Sequence, residues 1–311
     1  MSMNIKLWGK GNKNNQSIPK IIWTFWDAHL ESPLVEVCFN QIKNLFPEYQ
    51  FNIVNRENVG EYIDNIIQPR TDISFVNFTD LTRLKLLNKY GGYWLDASVL
   101  VTQNFDWLLN LKDRYRAEII GFFSDFFTSD IDYPLLETWF IASTPNNHFI
   151  EAWSEEFEKC YLSKNPHEYF NIEKGNAKFL QKIDNTLSNY LIAYLAAAKV
   201  MRANDDFRIL MMPSSESAHY YNFKLKLKPH RLAEEFLLNE NANCNFPLIK
   251  FERRGREAID DYINKGLLSE KSLLYRLAPR SCKKYINYQY KIKYIQYILS
   301  NLLKKFFKKN A

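Results

Sequence analysis

Residues 80–99 read DLTRLKLLNKYGGYWLDASV. Within residues 78–90 apolar positions recur at helical spacing, with Leu81, Leu84, Leu87 and the stem of Lys85 in reach of one another. Asp80 at the start and Gly91-Gly92 at the end are start and stop signals for that helix. The next run, Tyr93–Val101, reads as a strand interrupted by Asp96 and Ser98. Glycines at such a turn let backbone approach a ligand closely, and a carboxylate ending a buried strand sits at the rim where open α/β sheets bind ligands. Asp96 and Ser98 point to one face of a strand, so both reach one hard cation or its water shell, and a divalent ion there would neutralise a diphosphate. Asp80 and Arg83 project together, one helical turn apart. Singly, these residues have plainer readings: Asp-x-Ser is a common turn former, and Asp80 with Arg83 an ordinary surface pair. Their combination is what favours a site.

Outward from this stretch the elements alternate. Residues 1–17 are polar and Asn/Lys-rich and read as a loose, flexible leader. Ile18–Trp26 suits a buried first strand, Pro33–Phe46 a helix with Ser32 as cap, and Tyr49–Val54 a second strand. Further strands are predicted at Glu118–Phe123, Thr138–Ser143 and Arg208–Met212, and a helix at Asn185–Val200. Such alternation argues for an α/β fold, a mixed or mostly parallel sheet covered on both faces by helices, in one large domain over 18–270. No internal repeat shows.

The chain has 311 residues, 46% of them hydrophobic, enough to bury a full core. Seven Trp, 19 Tyr and 23 Phe are a heavy aromatic load, most of which core packing absorbs. Cys38, Cys160, Cys244 and Cys282 lie far apart without a CxxC pair, so no disulfide framework or zinc site is expected, and a reducing compartment fits. No secretory leader and no membrane-spanning run is read. Charge is uneven: residues 271–311 hold 11 of the 41 basic residues and none of the 35 acidic ones, leaving 30 basic against 35 acidic before them. In that segment Ile295, Ile298, Leu299, Leu302, Leu303 and Phe306 form a helical stripe, with Lys293, Lys304 and Lys308 on the other side. The pattern suits a helix lying in an anionic membrane interface. A terminal helix packed on the body is the plain alternative. A nucleic-acid arm fits less well, the stripe being too apolar for phosphate contact, and no nucleic-acid partner is expected.

The residues Thr79-Asp80, Arg83, Tyr90-Gly91-Gly92, Tyr93-Trp94, Leu95 and Asp96-Ala97-Ser98 resemble the signature of the capsular polysaccharide synthesis family and its relatives. Those relatives are sugar transferases with an Asp-x-Asp motif and include the large clostridial glucosylating toxins. IPKIIWTFWD at 18–27 is similar to the family's first strand, and fainter similarity runs from Ile18 to Tyr275 through Trp139–Ala142 and Pro247–Phe251. The resemblance implies a GT-A fold, a UDP-sugar donor, Mn²⁺ or Mg²⁺, and retention at the anomeric carbon. It implies that Thr24, Phe25 and Trp26 contact the base, with Trp26 stacking, that Asp80 and Arg83 bind the ribose or donor sugar, and that Trp94 lies against the nucleotide. Asp96 would reach ribose and metal. Ser98 holds the second position of the motif with a neutral hydroxyl, a weaker ligand than a carboxylate. His219 and Lys250 are later candidates for metal or pyrophosphate, and Asp184 for sugar or acceptor. Against these stand a surface imidazole, a snorkelling lysine and a helix N-terminal charge. Arg253, Arg254 and Arg256 would meet phosphate or form a solvated basic turn.

The expected activity is therefore transfer of galactose or glucose to a lipid-linked, undecaprenyl-diphosphate glycan in capsular repeat-unit synthesis. The expected location is cytoplasmic, peripheral on the inner face of the cell membrane. Two alternatives share parts of this reading: an effector that glycosylates protein side chains, and a noncatalytic membrane-associated scaffold.

Overall fold

A computed structural model describes residues 4–11, 16–27, 29–64, 75–162 and 191–309. The predicted helix begins slightly earlier than its periodicity suggested, at Phe75, and runs to Tyr90. Its end is forced by two glycines at positive φ. Gly91 (φ 64°) donates its N–H to the Leu87 carbonyl, and a Cβ at Gly92 (φ 97°) would lie 2.4 Å from the Ile21 carbonyl oxygen. The chain thus turns straight from helix into Gly92–Leu95, a strand with all four residues buried.

That strand is central to a seven-stranded mixed sheet. In chain order the strands are β1 (Lys6–Trp8), β2 (Ile21–Phe25), β3 (Gln50–Val54), β4 (Gly92–Leu95), β6 (Ile119–Phe123), β7 (Leu136–Ser143) and β8 (Ile209–Pro213). Their spatial order is β1-β8-β6-β7-β4-β2-β3. β2 pairs parallel with β3 and β4, and β6 parallel with β8, while β7 runs antiparallel to β4 and β6 and β1 antiparallel to β8. The sheet is mixed, as expected. Lys6–Trp8 lies in the stretch read as a loose leader, yet it pairs with Ile209–Met211. Three residues carry too little pattern to announce a strand; the partner supplies it.

The chain divides into two compact units, where one domain was expected. The first comprises Met1–Leu30, Phe46–Ala97 and Asn104–Ser217; the second comprises Glu31–Leu45, Ser98–Gln103 and Ala218–Ala311. The first contains the large sheet with α2 (Val59–Tyr62), α3 (Phe75–Tyr90), α4 (Asp106–Tyr115), α5 (His148–Leu162) and α6 (Ile192–Ala203). Its core packs Trp23, Phe78, Leu84, Trp94, Ile141, Trp153 and the alanine-rich face of α6.

The second unit is built on α1 (Pro33–Leu45) and a two-stranded antiparallel ladder of β5 (Val99–Val101) and β9 (Leu248–Lys250). Around these lie α7 (Pro229–Leu237), α8 (Arg253–Asn264), α9 (Leu273–Leu277), α10 (Pro279–Cys282) and α11 (Tyr290–Lys309). Asp260 of α8 caps α1, accepting from the Ser32 hydroxyl at 2.6 Å and the Leu34 N–H at 2.8 Å. The predicted strand Tyr93–Val101 is therefore two strands in two sheets, and the break falls at Asp96–Ser98. The basic segment 271–311 also splits. Leu273, Leu274, Ala278 and Cys282 are buried in the second core, so only α11 stands out as a tail.

Candidate functional site

In the first unit, β4 ends beside α3, and the turn brings three charged side chains together. The Arg83 guanidinium donates to Asp80 from one nitrogen and, at 3.1 Å, to Asp96 Oδ1 from another. Asp80 is 1% exposed and Arg83 4%. The Trp94 indole N–H also donates to Asp96 Oδ1 at 3.1 Å, and the guanidinium lies over the Trp94 ring, 4.8 Å from its centroid. Asp96 is fixed through its backbone as well, its N–H donating to the Trp139 carbonyl of β7. Burial pushes the Asp80 carboxyl up to about 6; Arg83 opposes this, the Asp96 charge adds to it, and a hydrogen bond from Thr138 opposes it. The result is a carboxylate pair held by one arginine at the carboxyl end of a sheet strand, with Asp96 its solvent-facing member.

Trp94, which the resemblance puts against the nucleotide, is buried in the cluster. It is 1% exposed, and its ring backs Arg83 while its N–H holds Asp96. The base-contact block divides in the same way. Thr24 is fully buried and Phe25 packs edge-on against Phe75 and Phe78, whereas Trp26, just past the end of β2, is half-buried and donates its ring N–H to the Leu30 carbonyl at 2.8 Å. Position explains the division: β2 is an interior strand buried from Ile22 to Phe25, and Trp26 is the first residue beyond its end. Of the three, only Trp26 offers ring surface.

Ser98, Lys250 and His219 belong to the second unit. The Ser98 hydroxyl donates to the Phe251 carbonyl at 2.8 Å and accepts from the Lys250 ammonium at 3.1 Å. The Lys250 backbone N–H in turn donates to the Ala218 carbonyl, next to His219. His219 is 3% exposed, with Nδ1 3.4 Å from a Glu252 carboxylate oxygen. The Ser98 oxygen thus turns one of its two lone pairs to a cation already on the chain. Among the described residues no group of three or more His, Cys, Asp or Glu is arranged to hold an ion. Asp96 offers a partly exposed carboxylate that a hard cation could share with the oxygens of a diphosphate. Asp184 lies outside the described residues.

A family model described as capsular polysaccharide synthesis protein matches residues 4–253. The chain belongs to that family. Among curated proteins, O-glycosyltransferase braB of Annulohypoxylon truncatum is 26% identical over 164 residues, which cover 46% of this chain and 38% of that protein. The match thus spans well under half of that relative's length. Among solved structures, PaToxG Glycosyltransferase matches with a TM-score of 0.33 and 14% identity over 60% of this chain and 74% of its own.

For this member of the capsular synthesis family, Thr138 is the residue the sequence reading missed. It lies on β7, buried, where its hydroxyl reaches Asp80. Neighbouring Glu137 is also buried and accepts from the Trp139 ring N–H and, at 3.1 Å, from the Ser214 hydroxyl. An acid opening an otherwise apolar strand, as in Glu137-Thr138-Trp139, was the available signal.

Proposed function

We propose that the chain is a glycosyltransferase that moves a hexose, galactose or glucose, from a UDP-sugar with retention of configuration. The Asp80–Arg83–Asp96 cluster carries the reading. Ionised carboxylates accept hydrogen bonds from vicinal hydroxyls, and a guanidinium pinned by two of them donates without reorganising. Trp26 offers a partly open ring for a base. Mn²⁺ or Mg²⁺, held by Asp96 together with the donor's diphosphate, would neutralise the leaving group when bound. The protein's part is to hold Asp96 through Trp94, Arg83 and the β7 backbone, so that one carboxylate stays fixed for that role.

The acceptor in this reading is a lipid-linked glycan of undecaprenyl-diphosphate type, met at the cytoplasmic face of the inner membrane. Family membership and the basic C-terminal helix support it. The test is UDP release on incubation with UDP-glucose or UDP-galactose and Mn²⁺, alongside calorimetric donor binding. Metal-dependent release that is lost in Asp96→Asn supports the reading. Neither binding nor release with any UDP-hexose overturns it.

A further inference from the structure

The last helix, α11, turns its faces the opposite way from an ordinary surface helix. Tyr290, Tyr294 and Tyr297, spaced i, i+4 and i+7, lie on one side, and their hydroxyls donate to Glu240, to Glu234 at 2.9 Å and to Asp261 at 3.4 Å. Tyr294 and Tyr297 are half-buried against the second core, and the Tyr297 ring meets Tyr262 edge-on at 5.3 Å. The side that meets the protein is therefore aromatic and hydroxyl-bearing. On the opposite side Ile292, Ile295, Leu299, Leu302 and Leu303 are exposed by 60, 59, 54, 57 and 58%. A contiguous aliphatic stripe held open to water marks an interaction face.

Charge selects the occupant. The helix carries Lys291, Lys293, Lys304, Lys305, Lys308 and Lys309 and no acid, and residues 271–311 contain no Asp or Glu. The acids of the second unit that meet it, Glu234, Glu240 and Asp261, are on the tyrosine side. A second copy of the same helix would bring like charges together, and a nucleic acid has no use for leucines. Hydrocarbon bounded by anionic headgroups satisfies both demands. No helix among the described residues is long and apolar enough to cross a membrane, so this one would lie in the interface. We propose that α11 docks the second unit onto an anionic lipid surface, its aliphatic side chains outward and its tyrosines holding the helix to the protein, independently of which donor the first unit takes.

The test is co-sedimentation of the full chain with vesicles of phosphatidylcholine alone or with about a third phosphatidylglycerol. The expected result is binding to the anionic vesicles at least about tenfold tighter than to the neutral ones, weakening as salt is raised. The combined variant Ile295→Gln, Leu299→Gln, Leu302→Gln keeps the tyrosine contacts; it is expected to melt as the native chain does and to lose at least about tenfold in vesicle binding. No binding by the native chain overturns the proposal, as does equal binding to both vesicles or by the variant. So does a native dimer that dissociates in the variant without any vesicle binding. Vesicle-free UDP release by the same variant reports on the donor reading separately.

Discussion

Asp96 is the carboxylate on which the donor reading turns, because it is the cluster's exposed member and is held from three directions by Arg83, Trp94 and the Trp139 carbonyl. Asp96→Asn keeps the shape and most hydrogen bonds but removes the charge. It is expected to lower kcat/KM for UDP release by about 100-fold or more while leaving the melting temperature within a few degrees, checked by steady-state kinetics and circular dichroism. Asp80 has a different signature. Burial raises its carboxyl to about 6 from 3.8, so the folded chain holds this proton more tightly than the unfolded one. The stabilisation from that proton is complete below the unfolded value and is lost as pH rises through about 6. The Tm difference between native chain and Asp80→Asn therefore changes between about pH 4 and pH 7, to the native chain's disadvantage, and levels off above. A constant difference across that range would contradict the burial argument. Asp80, Arg83 and Asp96 were legible in the sequence because helix and strand periods place them at one turn. Thr138 was not, since its approach to Asp80 depends on strand pairing between β4 and β7.

At the scale of elements, the helix–glycine–glycine–strand junction is the piece most sensitive to a single methyl group. A Cβ at Gly92 would meet the Ile21 carbonyl oxygen at 2.4 Å with φ at 97°, and Ile21 belongs to the strand paired with β4. Gly92→Ala is expected to cost about 2–4 kcal/mol in urea unfolding, from strain and displaced strand pairing together. The same junction shows where local reading stops. Tyr93–Val101 reads along the chain as one strand interrupted by Asp96 and Ser98, but Gly92–Leu95 and Val99–Val101 pair with different partners, β2 and β7 for the first, β9 for the second. Asp96-Ala97-Ser98 is the crossing between them, and on its far side Ser98 meets Lys250 and the Phe251 carbonyl. Lone strand-length patterns carry no information on which neighbour they will take.

For the whole molecule, the division of residues 271–311 sets how much of the C-terminus can be removed. Truncation after Gln289 takes away α11 and its tyrosine contacts, and the remaining chain is expected to fold with a Tm lower by a few degrees and with UDP release intact. Truncation after Glu270 removes Leu273, Leu274, Ala278 and Cys282 from the second core and is expected to abolish the cooperative transition, because burying those side chains is worth about 1–3 kcal/mol each. Thermal melts of the two truncations distinguish these outcomes. Composition and periodicity by themselves determined the alternating α/β elements, the helix–turn–strand geometry that gathers Asp80, Arg83 and Asp96, and the basic, acid-free helix at the end, because each is written in residues close along the chain. Only the tertiary structure decided the order and pairing of the strands in the sheet, that the chain enters a second unit three times, that Trp94 is buried behind Arg83, and that α11 gives its tyrosines to the protein and its leucines to the outside. Those outcomes depend on which surfaces meet, and residues brought together from 60 or more positions apart, as Tyr294 and Glu234 are, leave no local pattern to read.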